Sequence, residues 1–241
     1  MKPLSECQLY TFVDTAYLAG RSPAEVARQL CAGGSDLIQL RAKVSTLDEI
    51  TRLAEALLPV TRSAGVGLVV NDHWAVARAV GAEFCHLGQE DFFDAGYRQV
   101  GELALDRTTA QGDLQPGLAP PGEGPPEGGT LTGHPGCPRI GLSTHAPEQA
   151  RRAQEAGPAY LAMGPVYATG TKPSAKPVTL DYVRWADANV TLPWFAIGGI
   201  NLGTLDAVLE AGARRICVVS AILSAPDVEK ACALFKARLS R

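Results

Sequence analysis

The chain has 241 residues, 46% of them hydrophobic, and a formal net charge of −3. That length fits one α/β barrel, and that apolar share is enough for a substantial core. The charge balance excludes a basic nucleic-acid-binding surface and an acidic tail, and no apolar run reaches the ~18 residues of a membrane helix.

The opening residues MKPLSECQLY lack the apolar centre of a signal peptide, so a cytoplasmic location is expected. The first strand is expected over Gln8–Val13, and its run YTFVD ends without an obvious polar cluster. Strands two to four are expected over Leu37–Leu40, Gly67–Val70 and Glu83–Leu87. Between the second and third, Thr46-x-x-Glu49 is a capping box, followed by Ile50, Leu53, Ala54, Leu57 and Leu58 at helical spacing. Residues 106–139 are rich in proline and glycine and poor in large apolar side chains, which predicts a loop insertion on the face away from the strand C-termini. The remaining strands are expected over Arg139–Leu142, Tyr160–Met163, Trp194–Ile197 and Arg215–Val219. Pro147 opens a helix that Gly157 closes, Leu205, Val208 and Leu209 mark another before Gly212, and Asp227 caps a last helix running to about Leu239.

Eight strands alternating with helices predict a single-domain (β/α)8 TIM barrel, with a doubly wound open sheet as the competing arrangement. The helix ends AGGSDLIQL, VGAEFCHL, AGPAYLAM and AGARRICVV repeat one pattern, a glycine and then an apolar strand. The six cysteines form no C-x-x-C pair and no metal spacing with histidine, so they read as small core residues.

The chemistry gathers at the strand ends: QLRAK, NDH, HLGQED, STH, GPVYATGTKP, AIGGIN and VVSA. Asp72 and Asp91 follow adjacent strands, and two carboxylates on one rim suit Mg²⁺, which takes its other oxygens from phosphates and water. Each acid has a simpler reading as a helix cap. Gln39, Arg41 and Lys43 alternate on one face of an extended strand end and suit a polyanion, with Lys172 on the opposite arc. Gly198 and Gly199 follow strand seven and Ser220 follows strand eight, the recurrent phosphate position of this barrel. His86 ends a strand, His73 and His134 look exposed, and His145 follows Ser143-Thr144, with no spacing that marks a nucleophilic triad. The site therefore reads as one of charge stabilisation and positioning.

Taken in order, these clusters resemble the thiamine phosphate synthase (thiamine-phosphate pyrophosphorylase) family from about Leu9 to Ala225, apart from the insertion. HLGQED is the most specific match, and QLRAK resembles the family's Q-x-R-x-K. The resemblance implies a Mg²⁺-assisted transferase. It would join 4-amino-5-hydroxymethyl-2-methylpyrimidine diphosphate to a thiazole phosphate, in plain or carboxylated form, by a dissociative route. It implies that Asp72 and Asp91 hold Mg²⁺, and that Arg41, Lys43, Asn71 and Lys172 hold the diphosphate. Gln39 and Ser143 would lie near the pyrimidine, Thr169, Thr171, Gly199, Val219 and Ser220 at the thiazole phosphate, and His86 would be a further substrate-binding residue. Arg41, Lys172 and Ser143 would be the catalytic set. The partners implied are these small molecules, with no nucleic acid or membrane, and a homodimer stays open. The alternative is the related thiazole tautomerase, for which His145 would be the acid/base group. Asp72, Asp91, Lys172 and LGQED argue against it, because a tautomerase needs no diphosphate site.

Overall fold

The apolar runs become strands that are buried on both faces, the pattern of parallel strands lined inside by side chains and covered outside by helices. In the computed structural model, which describes residues 1–105, 137–170 and 176–240, the strands are β1 (Leu9–Asp14), β2 (Leu37–Arg41), β3 (Gly67–Asn71), β4 (Phe84–Gly88), β5 (Arg139–Thr144), β6 (Tyr160–Met163), β7 (Trp194–Ile197) and β8 (Ile216–Cys217). All pairings are parallel and sequential, and β8 pairs β1 through Leu9–Ile216 and Tyr10–Cys217, which closes the barrel. Closure removes the sheet edges and rules out the open doubly wound sheet.

The helices are α1 (Pro23–Ala32), α2 (Leu47–Ser63), α3 (Trp74–Val80), α4 (Gln89–Asp94), α5 (Glu102–Leu105), α6 (Pro147–Glu155), α7 (Thr179–Asn189), α8 (Leu205–Glu210), α9 (Ser220–Leu223) and α10 (Val228–Leu239). The expected caps form. Thr46 and Glu49 make the reciprocal capping box of α2, Pro147 opens α6, and Asp227 accepts from the Lys230 amide at 2.9 Å. Gly157 follows α6 with φ +75°, the left-handed turn that glycine adopts without strain. None of the helices is long and apolar enough to cross a membrane, among the described residues.

Two strand expectations need correction. The eighth strand pairs over only two residues, because Val219 leaves the ladder to cap α9. The first strand runs on to Asp14, so β1 does end in a polar group, and that group is 1% exposed. Most of the Pro/Gly-rich insertion lies outside the described residues. Its far boundary overlaps β5, since Arg139 already pairs with Phe84.

The barrel interior is a layer of aromatic rings. Tyr10, Tyr160 and Phe195 pack edge to face with centroids 5.4–5.8 Å apart, and Phe84 joins Tyr160 at 6.0 Å. Gly141 on β5 makes this layer possible, since a Cβ there would lie 2.1 Å from Tyr160 Cζ. At the opposite end from the strand C-termini, Asp36 accepts from Lys2 and Lys236 Nζ, both at 2.7 Å, and from the amides of Gln8 and Leu9 at 2.7 and 2.9 Å. That carboxylate ties the N-terminal segment and α10 to the start of β2. The six cysteines are all free, and four of them are buried, as core residues should be.

Candidate active site

A cavity of about 300 Å³ opens at the C-terminal ends of the strands. Twelve of the fourteen residues singled out from the sequence line it: Gln39, Arg41, Lys43, Asn71, Asp72, His86, Asp91, Ser143, Thr169, Gly199, Val219 and Ser220. The other two, Thr171 and Lys172, lie outside the described residues. Residues from positions 10 to 220 converge here because every strand delivers its C-terminal end to one rim.

The charged side of the cavity belongs to β2, β3 and β4. Asp72 Oδ2 accepts from Asn71 Nδ2 at 2.7 Å and from Lys43 Nζ. Asp72 has φ +64°, a left-handed conformation unusual outside glycine, and its amide donates to the His86 carbonyl at 2.8 Å. The turn is thus anchored across two strands and carries its carboxylate inward to the cavity. Asp91 sits in the first turn of α4 and is exposed. A Cβ on Gly88 would lie 2.6 Å from Asp91 Oδ2, so the glycine lets that carboxylate fold back over the end of β4. Neither acid is an N-cap: His73 holds that position for α3 and Gly88 for α4. Glu90 turns away and accepts from Gln149 on α6.

Arg41 is held from below by a residue that the sequence did not single out. Its Nη1 donates to Asp14 Oδ2 at 2.7 Å, and Asp14 Oδ1 accepts from the Ala16 amide at 3.0 Å. A strand-end aspartate in YTFVD was the available signal, hidden because the run looked wholly apolar. Gln39 lines the cavity together with Arg41 and Lys43, the shared face expected of their alternation. It is 2% exposed, and its Nε2 donates to Tyr10 Oη at 2.5 Å. His86 also faces the barrel interior, with Nδ1 3.1 Å from Tyr160 Oη.

The opposite side is backbone. Gly198 and Gly199 have φ +102° and +66°. A Cβ at Gly198 would meet Pro165 at 2.3 Å and one at Gly199 would meet Tyr167 at 2.6 Å, so both turns need glycine for conformation and for space. Val219 and Ser220 face them from the start of α9. His145 lines the cavity between the two sides with Nδ1 against the Gly164 carbonyl, and its amide donates to Gln149 Oε1 at 2.7 Å. Tyr10, Phe12, Ala162, Ile197 and Cys217 supply an apolar floor. Burial pushes the Cys217 thiol well above its ordinary pKa, so the floor presents a neutral thiol. His73 is half-buried rather than exposed, and His134 lies outside the described residues.

The arrangement therefore has a carboxylate-and-cation rim, an apolar floor and a glycine-lined rim. Among the described residues no group of three His, Cys, Asp or Glu side chains is placed to hold a metal. A two-carboxylate donor set is still compatible with Mg²⁺, which keeps most of its oxygens from water and phosphate.

The sequence matches the family model for thiamine monophosphate synthase over residues 9–104 and 136–222. The chain is 42% identical over 209 residues to a thiamine-phosphate synthase of Thermus thermophilus, covering 86% of this chain and 84% of that one. It is 37% identical over 239 residues to a thiamine-phosphate synthase of Acidothermus cellulolyticus, covering 98% and 97%. Among solved structures, a thiamine phosphate pyrophosphorylase from Pyrococcus furiosus aligns with a TM-score of 0.75 at 26% identity, covering 98% of this chain and 97% of that one. A 3-hexulose-6-phosphate synthase, at 17% identity and a TM-score of 0.56, shares the fold.

Proposed function

This chain belongs to the thiamine monophosphate synthase family and has its activity in thiamine biosynthesis, and on that premise we propose how its rim performs the transfer. The substrates are 4-amino-5-hydroxymethyl-2-methylpyrimidine diphosphate and a thiazole phosphate. Diphosphate leaves and thiamine phosphate forms. The observation that carries this reading is the continuity of one cavity from the acid-and-cation rim at Lys43, Asp72 and Asp91 to the glycine rim at Gly199 and Ser220. Two anionic groups on two substrates need two such rims, with the reacting carbon and nitrogen between them.

Asp72 and Asp91 would hold Mg²⁺. When bound, the ion neutralises the diphosphate and makes it a better leaving group. The chain's own residues do the rest. Arg41, oriented by Asp14, offers a guanidinium fork to the departing oxygens, and Lys43, Asn71 and Lys172 add point donors. Ser143, with Gln39 and His86, orients the pyrimidine. Thr169, Thr171, Gly199, Val219 and Ser220 hold the thiazole phosphate so that its nitrogen lies in line with the breaking bond.

A dissociative route leaves a pyrimidine-methyl cation for the time between bond breaking and attack. The floor supports that route in two ways. Tyr10, Phe12 and Ile197 exclude water from the cation, and the neutral Cys217 thiol is a poor trap for it.

Purified protein incubated with both substrates, with and without Mg²⁺, tests the reading. Thiamine phosphate and free diphosphate should appear in equal amounts and only with the ion. Equal rates after chelation would sink the metal assignment, and product formation without diphosphate release would sink the chemistry.

A further inference from the structure

The end of β5 alternates between two sides. Ser143 and His145 line the cavity, Thr144 between them is fully buried, and Ala146 follows as the N-cap of α6 with extended backbone. The sheet stops at this point: the last β4–β5 pair is Gly88–Ser143 and the last β5–β6 pair is Thr144–Met163. A side chain from outside the sheet takes over. Tyr182 Oη, on α7, lies 2.8 Å from Thr144 Oγ1 and donates to the Ala146 carbonyl at 2.9 Å. Tyr182 is buried too, and its ring stacks on Trp185 with centroids 5.8 Å apart. The start of α7 is tied to the barrel mouth, where the Val178 amide donates to the Pro165 carbonyl at 2.8 Å.

We infer that Tyr182 is a positioning residue, which grips the outward side of the β5 end at two alternate residues and so aims Ser143 into the cavity. The direction of its hydrogen bonds follows from the backbone alone. A carbonyl oxygen only accepts, so the single phenolic proton goes to Ala146 and the Thr144 hydroxyl donates to Oη. Burial pushes the phenol up to about 12, so that proton stays in place. Thr144 and Ala146 lie two apart in an extended segment, which puts them on one side and residues 143 and 145 on the other. Holding both keeps the segment from turning about its own axis.

His145 has anchors of its own, with Nδ1 on the Gly164 carbonyl and its amide on Gln149 Oε1. The Ser143 side chain has no hydrogen bond among the described residues, so its direction is that of the backbone it stands on. Tyr182 therefore acts through Ser143. Its effect on the reaction rests on the reading given above, in which Ser143 orients the pyrimidine. Loss of the grip then weakens the hold on that substrate and spares the thiazole phosphate at the glycine rim.

Steady-state kinetics of the full-length protein, with each substrate varied in turn, tests this. Y182F keeps the ring and its stacking. Its KM for the pyrimidine diphosphate should rise about fivefold, the scale of one lost hydrogen bond, with the KM for the thiazole phosphate unchanged. T144V keeps the branched shape and should act in the same direction, and the double variant should be no worse than Y182F, because the two groups form one contact. In an S143A background Y182F should add nothing. Wild-type KM values for both substrates in Y182F, equal rises in both, or an undiminished effect in the S143A background overturns the inference. A rise confined to the thiazole phosphate and abolished by S143A upholds the positioning and overturns the assignment of Ser143 to the pyrimidine.

Discussion

Asp14 lies directly under Arg41, joined to it at 2.7 Å, and its carboxylate is 1% exposed while the guanidinium is 19% exposed. The buried acid fixes the arginine from one side.

Breaking the pair from either end should have different signatures. Arg41→Ala should slow turnover by roughly 10- to 100-fold, the value of a charge-assisted hydrogen bond of ~1.5–3 kcal/mol, and should also destabilise the fold because it strands a buried carboxylate. Asp14→Asn keeps the shape and should lower kcat/KM by about 5- to 10-fold with a smaller loss of stability. Steady-state kinetics and thermal unfolding on both variants check this. Wild-type kcat/KM in Asp14→Asn would show that Arg41 needs no support.

The metal-site assignment predicts that Asp72→Asn is the informative variant. Asparagine tolerates the left-handed backbone at φ +64°, so the fold should survive. Activity should drop by about 100-fold or more, and the Mg²⁺ concentration for half-maximal rate should rise. Asp91→Asn should behave alike. A Mg²⁺ titration curve that superposes on the wild type in both variants would remove these acids from the ion.

The proposed role of Lys172 at the diphosphate predicts that Lys172→Ala costs roughly 10- to 100-fold in turnover with little change in melting temperature. Rates equal to wild type would leave the diphosphate to Arg41 and Lys43.

Gly141→Ala tests the aromatic layer. The new methyl would lie 2.1 Å from Tyr160 Cζ, so the ring must move. Overpacking of this kind costs about 1–3 kcal/mol, readable in denaturant unfolding.

Asp36 sets part of the acid limb of stability. Burial alone would raise its pKa, but the Leu9 and Gln8 amides and the Lys2 and Lys236 ammonium groups outweigh that and hold it below the ordinary carboxylate value. A carboxylate with a lower pKa in the folded than in the unfolded chain stabilises the fold above the unfolded pKa of ~3.9, and that contribution fades as pH falls through the folded pKa. Asp36→Asn should therefore cost about 3 kcal/mol near neutrality and flatten the stability curve below about pH 4. Urea midpoints measured across that range check it; parallel curves for the two proteins would contradict it.

Most of the strands were legible because their signals are local. Buried runs such as Tyr160–Met163 and Trp194–Ile197 end where they were expected, and the Thr46–Glu49 box and the Asp227 cap depend on residues three apart. The errors fell where tertiary contacts overrode local pattern. β8 stops at Cys217 because Val219 turns to start α9, and β1 reaches Asp14 because Arg41 is there to pair with it.

The sequence by itself determined the eight-fold alternation and most of the strand ends that carry polar groups, since strand period and glycine turns act over a few residues. Only the tertiary structure decided which of those groups face one another. Asp14 meets Arg41, Lys43 meets Asp72, and Tyr10 meets Tyr160 across 150 positions of chain. No local pattern encodes such partners: the register and closure of the barrel choose them, by bringing distant strand ends within hydrogen-bonding distance.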